Sequence, residues 1–378
     1  MQLVLTEDQT LLARTANDFI GSNSVTRFRK LRDARDERGY ALDTYAKMAE
    51  LGWTAIPFSE EDGGLGMGLA ELVLVTEAMG RGLAPEPLIP SLLGGRAIAL
   101  AGDAQQKSTW LPPVIAGEKV LALAYAKHNS RFDLTRTPVR AEKAGSGYRL
   151  TGQIPQVWGG HLADAYIVAA RTSGQDLDKA GITLFLVPAG TRGVTSERQI
   201  RVDSQNAALV GLEAVEVRES DVLGKVGEGY ELLARLVDEG TVALCGEMLG
   251  GMLEAFERTR MYLKERRQFG VLIGTFQALK HRAAKLFVEI ELSRTAVMAA
   301  ARAVDAGSPD AAQLVSVAKA RLSDAYCLVA NEAVQMHGGI GMTDEHDIGF
   351  FMKRARACEM TFGDAAYHRE RFAQLTGY

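Results

Sequence analysis

Basic residues stand where a helical segment gives way to an aromatic–glycine turn. They belong to ERRQFG, residues 265–270, and a new segment, IGTFQALKH, follows at residues 273–281. One interpretation is a helix end, where basic side chains complement the helix dipole and Gly270 stops the helix. The other is a binding site, in which Arg266 pairs with a pyrophosphate through a charge-assisted fork and Phe269 lies against an adenine or ribose. The motif alone favours the helix end.

A second motif, QMHGGIG at residues 335–341, follows a long predicted helix that begins near Ala311. A glycine-rich helix terminus explains it, and a glycine cluster alone is weak evidence for a site. Because Gly338 and Gly339 carry no side chain, however, their backbone N–H groups can approach a dinucleotide closely. Gln335, one turn earlier, can hydrogen-bond an adenine edge. The functional interpretation is therefore a dinucleotide contact.

A lone carboxylate, Glu247, interrupts the apolar run VALCGEMLGGMLEAF at residues 242–256. A charge in such a run is unfavourable unless it is paired or functional. Its neighbours on the same helical face are mostly small, which predicts a concavity beside the carboxylate. The small neighbours are Gly240, Ala243, Gly250 and Gly251, and Leu244 is the bulky exception. The alternative is an ion pair inside a helical bundle, for which Arg282 or Arg294 could serve.

The composition sets the class of protein. The chain has 378 residues, of which 47% are hydrophobic and 24% charged, and its net charge is −4. That length exceeds what one hydrophobic core usually holds, so two or three structural units are expected. This net charge does not indicate the basic surface that nucleic-acid-binding proteins have. An arginine-rich stretch at residues 27–38 also contains acidic residues and is interpreted as a solvated helix face.

Neither the cysteines nor the histidines form a metal-like pattern. The three cysteines share no ligand spacing and are predicted to be buried reduced thiols, so no metal is expected. The amino terminus lacks the basic start and apolar run of a signal peptide. No stretch approaches the length of a membrane span. We therefore expect a cytoplasmic protein that does not bind membranes.

The elements that must position these residues change type twice along the chain. The first third has helical periodicity, beginning with a capping box at Thr6 and Gln9. Short β-rich runs then predict a small antiparallel barrel or sandwich, and long helical segments predict a four-helix bundle. The bundle helices are predicted at residues 230–264, 276–306, 311–337 and 350–373. The sequence thus predicts an α+β chain with domains at residues 1–118, 119–223 and 224–378.

The two motifs together resemble a known signature. ERRQFG with IGTFQALKH, followed by AVQMHGGIGMTDEH at residues 333–346, is similar to the flavin-binding signature of the acyl-CoA dehydrogenases. PFSEEDGGLGMG at residues 57–68 resembles the family's amino-domain loop, and GYRLTG at residues 147–152 resembles its middle domain. The resemblance implies FAD bound between subunits, hence a dimer or tetramer. It also implies that the FAD of a neighbouring subunit is bound by Arg266, Phe269, Gln277, Gln335, Gly338 and Gly339.

Two segments of the middle region depart from the family pattern. Where the family has Thr-Glu-Pro after its first strand, this chain has Ala126-Lys127-His128. The second flavin segment of the family has a lysine and then Trp-x-Thr or Trp-x-Ser, whereas residues 154–158 here read IPQVW. Trp158 is interpreted either as a replacement stacking partner for the flavin or as a packed core tryptophan.

The family's catalytic glutamate is also replaced. The family reaction removes the proton α to the thioester carbonyl and passes a β-hydride to flavin N5, which requires a carboxylate base with a raised pKa. At the usual position this chain has Phe362, and Asp364 has a shorter side chain. Some members place the base at a position matching Gly240, and the resemblance to bacterial relatives implies a glutamate two turns further on. Glu247 is therefore the predicted base, and Glu239 is the less favoured candidate.

The resulting prediction is an FAD-dependent acyl-CoA dehydrogenase that forms a trans-2-enoyl-CoA and reduces an electron-transfer flavoprotein. Two alternatives stay open. One is a non-catalytic or partly catalytic subunit of a hetero-oligomeric dehydrogenase completed by a paralogous chain. The other is an acyl-CoA oxidase that reacts with oxygen. The sequence is compatible with straight-chain, branched, aromatic and steroid-derived thioesters.

Overall fold

The computed structural model describes residues 4–21 and 24–378. The predicted absence of a signal peptide concerns an amino terminus whose first three residues lie outside this description. The described chain forms two compact units. The first combines the described residues up to Arg35 with residues 68–84 and 241–378, and the second combines residues 36–67 and 85–240.

Helices form the amino-terminal part of the chain. They are α1 (Glu7–Gly21), α2 (Ser24–Asp33), α3 (Leu42–Glu50), α4 (Leu69–Gly82), α5 (Leu88–Ala101) and α6 (Ala104–Ile115). The predicted capping box precedes α1. Thr6 N donates to Gln9 Oε1 at 3.1 Å, and Gln9 N donates to Thr6 Oγ1 at 3.2 Å, so two N–H groups that the helix leaves unpaired are satisfied.

The middle of the chain forms an eight-stranded sheet. Its strands are β1 (Leu121–Ala124), β2 (Val139–Ala144), β3 (Gly147–Trp158), β4 (Ala165–Arg171), β5 (Ile182–Pro188), β6 (Val194–Ile200), β7 (Asn206–Arg218) and β8 (Val222–Leu223). Their order is β6-β7-β3-β2-β4-β5-β8, with β1 beside β4. Most pairs are antiparallel, but β1 and β2 run parallel to β4. The sheet is therefore mixed with a majority of antiparallel pairs, whereas the sequence predicted an antiparallel barrel or sandwich.

The sheet buries a core of aliphatic and aromatic side chains. Val139, Leu150, Phe185 and Val210 are fully buried in it. Tyr148 meets the ring of Phe185 edge to face, with 5.4 Å between ring centroids. Exposed residues alternate with buried ones along β2, so one face of that strand is solvated and the other supports the core.

Long helices follow the sheet, interrupted by a small hairpin. They are α7 (Tyr230–Glu265), strands β9 (Arg267–Gln268) and β10 (Val271–Leu272), α8 (Gln277–Asp305), α9 (Ala311–His337), α10 (Ile348–Met360) and α11 (Ala365–Thr376). The order of helices, sheet and helices confirms the α+β class. The fourth bundle helix, predicted as one segment, is two helices. The chain turns between them because Phe362 and Gly363 adopt φ angles of 61° and 111°.

The domain limits at residues 118 and 223 remain predictions. All eight strands of the sheet lie between Leu121 and Leu223, inside the predicted β-domain. All three cysteines are buried, as predicted. Within the described ranges, no helix is both long enough and apolar enough to cross a bilayer.

The arginine-rich stretch is more than a solvated face. On α2, Arg29 lies 2.7 Å from the Asp347 carboxylate and Arg32 lies 2.6 Å from that of Asp344. Both guanidinium groups also stack on the ring of Phe350, 4.5 and 4.6 Å from its centroid. This correction follows from charge pairing over more than 300 residues of sequence. It ties α2 to the segment after the glycine motif.

Candidate cofactor and substrate site

The ERRQFG motif ends α7 and then forms a hairpin. Phe269 and Gly270, the two central residues of the turn between β9 and β10, have φ angles of 52° and 78°. Two left-handed residues in a two-residue loop match the twist of the strands, but this conformation is unfavourable for a phenylalanine. The Phe269 side chain is nonetheless 91% exposed. A strained residue that presents an apolar ring outward is typical of a binding site.

The glycine motif forms an open turn at the end of α9. Gly338 has φ 66° and ψ −142°, a conformation that residues with a side chain avoid. A Cβ atom added at Gly338 or Gly339 would meet no atom within 4 Å, so the space beside the backbone is free. Both glycines are exposed. The turn therefore fits the predicted close approach of a dinucleotide.

One aromatic contact brings the two motifs together. Tyr262, in the last turns of α7, stacks on His337, the last residue of α9, with 4.4 Å between ring centroids. His337 Nδ1 is 2.7 Å from Ala333 O, and the His346 ring lies 4.6 Å from the His337 ring. Burial lowers the pKa of His337, which favours the neutral imidazole in this stack. The hairpin and the glycine turn thus extend from the same helix–helix contact.

The remaining predicted contacts on this side are polar and exposed. Arg266, Gln277 and Gln335 all have exposed side chains. No ion pair involving Arg266 occurs within residues 4–21 and 24–378, so its guanidinium remains available for an anion. The chemistry of this set, a free guanidinium, two amides and an open glycine turn, fits a pyrophosphate and an adenine. Their assignment to FAD stays a prediction.

The middle-domain segments lie in the second unit. Trp158 is the last residue of β3, is half-buried and pairs in register with Ala207 of β7. The stretch that replaces Thr-Glu-Pro, residues 126–128, leads into a loop in which Asn129, Arg131 and Phe132 have φ angles between 53° and 67°. Three left-handed residues with side chains indicate a strained loop. The role of Trp158 stays a prediction.

The carboxylate of Glu247 is bound by an arginine. Arg354 Nε donates to Glu247 Oε1 at 2.7 Å, and Arg354 Nη2 lies 2.6 Å from the same oxygen. Both side chains are about 4% exposed. The alternative of an ion pair inside the bundle therefore describes Glu247. Its suggested partners, Arg282 and Arg294, pair with other carboxylates instead.

Neighbouring helices fill the space beside the glycines near Glu247. A Cβ atom at Gly250 would lie 1.8 Å from Glu77 O on α4, and one at Gly251 would lie 2.1 Å from Tyr326 Oη on α9. The glycines thus admit close helix packing, and no concavity is open at Gly250 or Gly251, where the sequence predicted one. Glycines at helical spacing permit either a cavity or a close crossing, and the sequence does not distinguish the two.

The other candidate acids are also engaged. Glu239 is buried, and Arg96 binds it bidentately at 2.9 and 3.0 Å while Arg235 donates to it at 3.0 Å. Asp364 caps α11 by accepting a hydrogen bond from Tyr367 N at 2.8 Å. Each acid that the sequence offered as a base therefore already has structural partners.

Comparison with known proteins decides the family. A model of the acyl-CoA dehydrogenase N-terminal domain matches residues 6–118, and one of the acyl-CoA dehydrogenase C-terminal domain matches residues 227–375. The chain belongs to the acyl-CoA dehydrogenase family. Its cofactor is FAD, and it is an oxidoreductase that acts on the CH–CH bond of acyl-CoA thioesters.

Individual relatives span the whole chain. The probable acyl-CoA dehydrogenase YngJ of Bacillus subtilis (strain 168) is 28% identical over 98% of both chains. The structure of the Tcur3481–Tcur3483 steroid ACAD G363A variant has a TM-score of 0.88, with 30% identity over 98% of both chains. The ChsE4–ChsE5 complex from Mycobacterium tuberculosis has a TM-score of 0.90, with 27% identity, and covers 100% of this chain and 99% of that chain.

For this acyl-CoA dehydrogenase, the Arg354 contact changes the interpretation of Glu247. A carboxylate held by a guanidinium takes up a proton less readily than one in a dry apolar site. A base for a carbon acid needs the opposite environment. As placed here, Glu247 is paired with Arg354, and its role as the base stays a prediction.

Sequence reasoning missed two residues of this dehydrogenase that contact the turn at Phe362. Lys319 of α9 and His368 of α11 are buried and hydrogen-bond to that turn. In the sequence, Lys319 could have been recognised as a single lysine on an apolar helix face. Its neighbours on that face, Val315, Ala318 and Leu322, are all buried. In the described part of the chain, no group of histidine, cysteine, aspartate and glutamate residues could hold a metal ion.

Proposed function

We propose that this chain is one subunit of an FAD-dependent dehydrogenase that converts an acyl-CoA thioester to a trans-2-enoyl-CoA. The observation that supports this most directly is the Tyr262–His337 stack at 4.4 Å, which joins the hairpin of Phe269 to the open turn of Gly338. The two halves of the cofactor signature, far apart in sequence, then offer one exposed surface. Bound FAD supplies the hydride acceptor.

Each residue of this surface has a proposed task. Arg266 binds the pyrophosphate, Phe269 covers the adenine or ribose, and the backbone at Gly338 and Gly339 approaches the phosphates. Gln277 and Gln335 hydrogen-bond the polar edges of the cofactor, and Trp158 lies against the flavin. Because Phe269 is 91% exposed on its own subunit, we propose that the cofactor it contacts is held jointly with a neighbouring subunit, in a dimer or tetramer.

We also propose that the catalytic base comes from a second, paralogous chain. Glu247, Glu239 and Asp364 are each engaged in this chain. One similar structure is the ChsE4–ChsE5 complex, and another carries the paired name Tcur3481–Tcur3483. The rival assignment, in which Glu247 is the base, requires its carboxylate to leave Arg354. In either case the reduced flavin passes its electrons to an electron-transfer flavoprotein, and we propose that the protein acts in the cytoplasm.

Anaerobic bleaching of the flavin tests this proposal. The chain is purified alone, and also after co-expression with each family member from the same genome that carries a carboxy-terminal glutamate. Each preparation is titrated with straight-chain, branched, aromatic and steroid-derived acyl-CoAs. We expect bleaching only in a mixed preparation.

Each of the other outcomes points to a different function. Bleaching by the chain alone would overturn the paralogous base and return Glu247 to the catalytic role. No bleaching in any preparation would overturn dehydrogenation itself. Turnover that consumes oxygen without added electron-transfer flavoprotein would identify an acyl-CoA oxidase.

A further inference from the structure

The turn between α10 and α11 is a strained piece of backbone. Phe362 has φ 61°, an unfavourable conformation for a residue with a large side chain, and Gly363 has φ 111°. A Cβ atom at Gly363 would lie 2.4 Å from the Tyr367 ring and 2.9 Å from His368 Nε2. Backbone of this kind persists only where the surrounding structure fixes it, and such places cluster at functional sites.

Lys319 is the residue that fixes the turn from α9. Its ammonium group is fully buried and donates to Gly363 O at 2.6 Å, to Glu359 O at 3.0 Å and to Ser323 Oγ at 3.0 Å. All three N–H donors are therefore used. Glu359 lies in the last turn of α10, so the same group satisfies a helix carbonyl that would otherwise lack a partner.

The choice of a lysine at this position is informative. Burial lowers the pKa of Lys319, since the charged form loses hydration. Its hydrogen bonds go to two backbone carbonyls and a hydroxyl, and none of the three acceptors is a carboxylate. A leucine or methionine would fill the same volume without that penalty. The lysine is therefore explained by the backbone that it holds.

His368 holds the other side of the turn. Its Nε2 lies 3.1 Å from Phe362 O and donates a hydrogen bond to it. Burial, with a contribution from the Lys319 charge, lowers the pKa of His368 to about 3, so the ring is neutral. Asp364 then starts α11 by accepting from Tyr367 N. The carbonyls of Phe362 and Gly363 are thus held by two different helices.

We propose that Lys319 is a positioning residue that fixes Phe362 as a wall of the acyl-binding pocket and thereby sets acyl-group preference. The proposal rests on the proposed function, because Phe362 stands where the resemblance places the family's glutamate, and the turn is therefore taken to border the thioester. Phe362 is the large, half-buried side chain of this turn. A shift of the turn would change the space for the acyl group without removing any group that contacts the cofactor signature.

Lys319→Met tests the proposal, with Ser323→Ala as the matched control. The methionine removes all three hydrogen bonds at similar volume, whereas the alanine leaves both contacts to backbone carbonyls intact. The FAD content, the melting temperature, and kcat and KM for butyryl-CoA and for a bulky aromatic acyl-CoA are measured in the preparation that turns over. We expect Lys319→Met to keep its FAD and to change the ratio of the two kcat/KM values at least tenfold, mainly through KM. Ser323→Ala should stay within twofold of wild type.

A folded, FAD-loaded Lys319→Met protein with the wild-type ratio would overturn the proposal. If that variant does not fold, His368→Leu, which removes the hydrogen bond to Phe362 O without a buried charge, is measured in its place under the same criterion.

The same variants separate this inference from the proposed function. If wild type turns over no thioester, the proposed function fails, and hydrogen–deuterium exchange at residues 361–364 still tests Lys319. We expect exchange at least tenfold faster in Lys319→Met than in Ser323→Ala. Equal exchange in the two variants would show that Lys319 does not hold the turn.

Discussion

Arg354 contacts Oε1 of Glu247 with Nε at 2.7 Å and Nη2 at 2.6 Å, where both side chains are about 4% exposed. The pair joins α7 to α10 inside the helical unit. Removal of one partner would leave the other as a buried charge without its main counterion. The roles of Glu247 as a structural acid and as a catalytic base therefore predict different results for the same variant.

Glu247→Gln is expected to destabilise the protein while leaving turnover within about tenfold of wild type. Breaking a buried ion pair from one side typically costs about 3–5 kcal/mol. Urea unfolding of the FAD-loaded protein measures the stability, and anaerobic flavin reduction measures the chemistry. Glu247→Met/Arg354→Met is the control, because removal of both charges should restore much of the stability. A loss of several orders of magnitude in flavin reduction, with stability retained, would contradict the structural role.

Arg266→Met is expected to weaken FAD binding by about tenfold or more, since a hydrogen bond to a charged group contributes about 1.5–3 kcal/mol. Arg267→Met is the matched control, because this neighbouring arginine is also exposed but is not assigned to the cofactor. Fluorescence titration of the apoprotein with FAD gives both dissociation constants. Equal losses in the two variants would point to general charge attraction in place of a specific pyrophosphate contact.

Gly339→Ala should leave the apoprotein unchanged and weaken FAD binding. The added methyl group meets no atom within 4 Å, so unfolding of the apoprotein should shift by less than about 0.5 kcal/mol. With the cofactor present, the methyl group occupies the space through which the dinucleotide approaches the backbone. Gly190→Ala, also at an open position, is the control. If both variants bind FAD as wild type does, the turn does not carry the cofactor.

Acid should destabilise the fold through His368. Its pKa is 6.5 when unperturbed and about 3 in the folded protein, so below pH 6.5 the unfolded chain binds a proton that the native site rejects. The contribution of neutral His368 to the free energy of unfolding is fully present above pH 6.5. It falls as the pH decreases toward 3, by at most about 1.4 kcal/mol per pH unit. His368→Leu should flatten the dependence of urea unfolding on pH over that range. An unchanged slope would contradict the shifted pKa.

Local features were predictable from the sequence, whereas the partners of buried charges were not. The capping box at Thr6 depends on residues three apart, and the structure contains it. The break at Phe362 was missed because the residues from Phe350 to Ala373 have helical periodicity on both sides of it. The turn depends on Lys319, which is more than 40 residues away.

The same limit applied to Glu247. Its arginine partner is 107 residues away, whereas the sequence suggested Arg282 or Arg294. The small residues on its face indicated a close approach without identifying what approached. Only the packing of α4 and α9 against those glycines shows that the space is taken by protein.

The clamped turn between α10 and α11 also constrains how this lineage diverges. With both of its carbonyls held, the segment has a fixed length, and an inserted residue would rotate every side chain of α11 by about 100° relative to its neighbours. Substrate range should therefore evolve by exchange of the side chain at position 362, with Lys319 and His368 kept and the spacing unchanged.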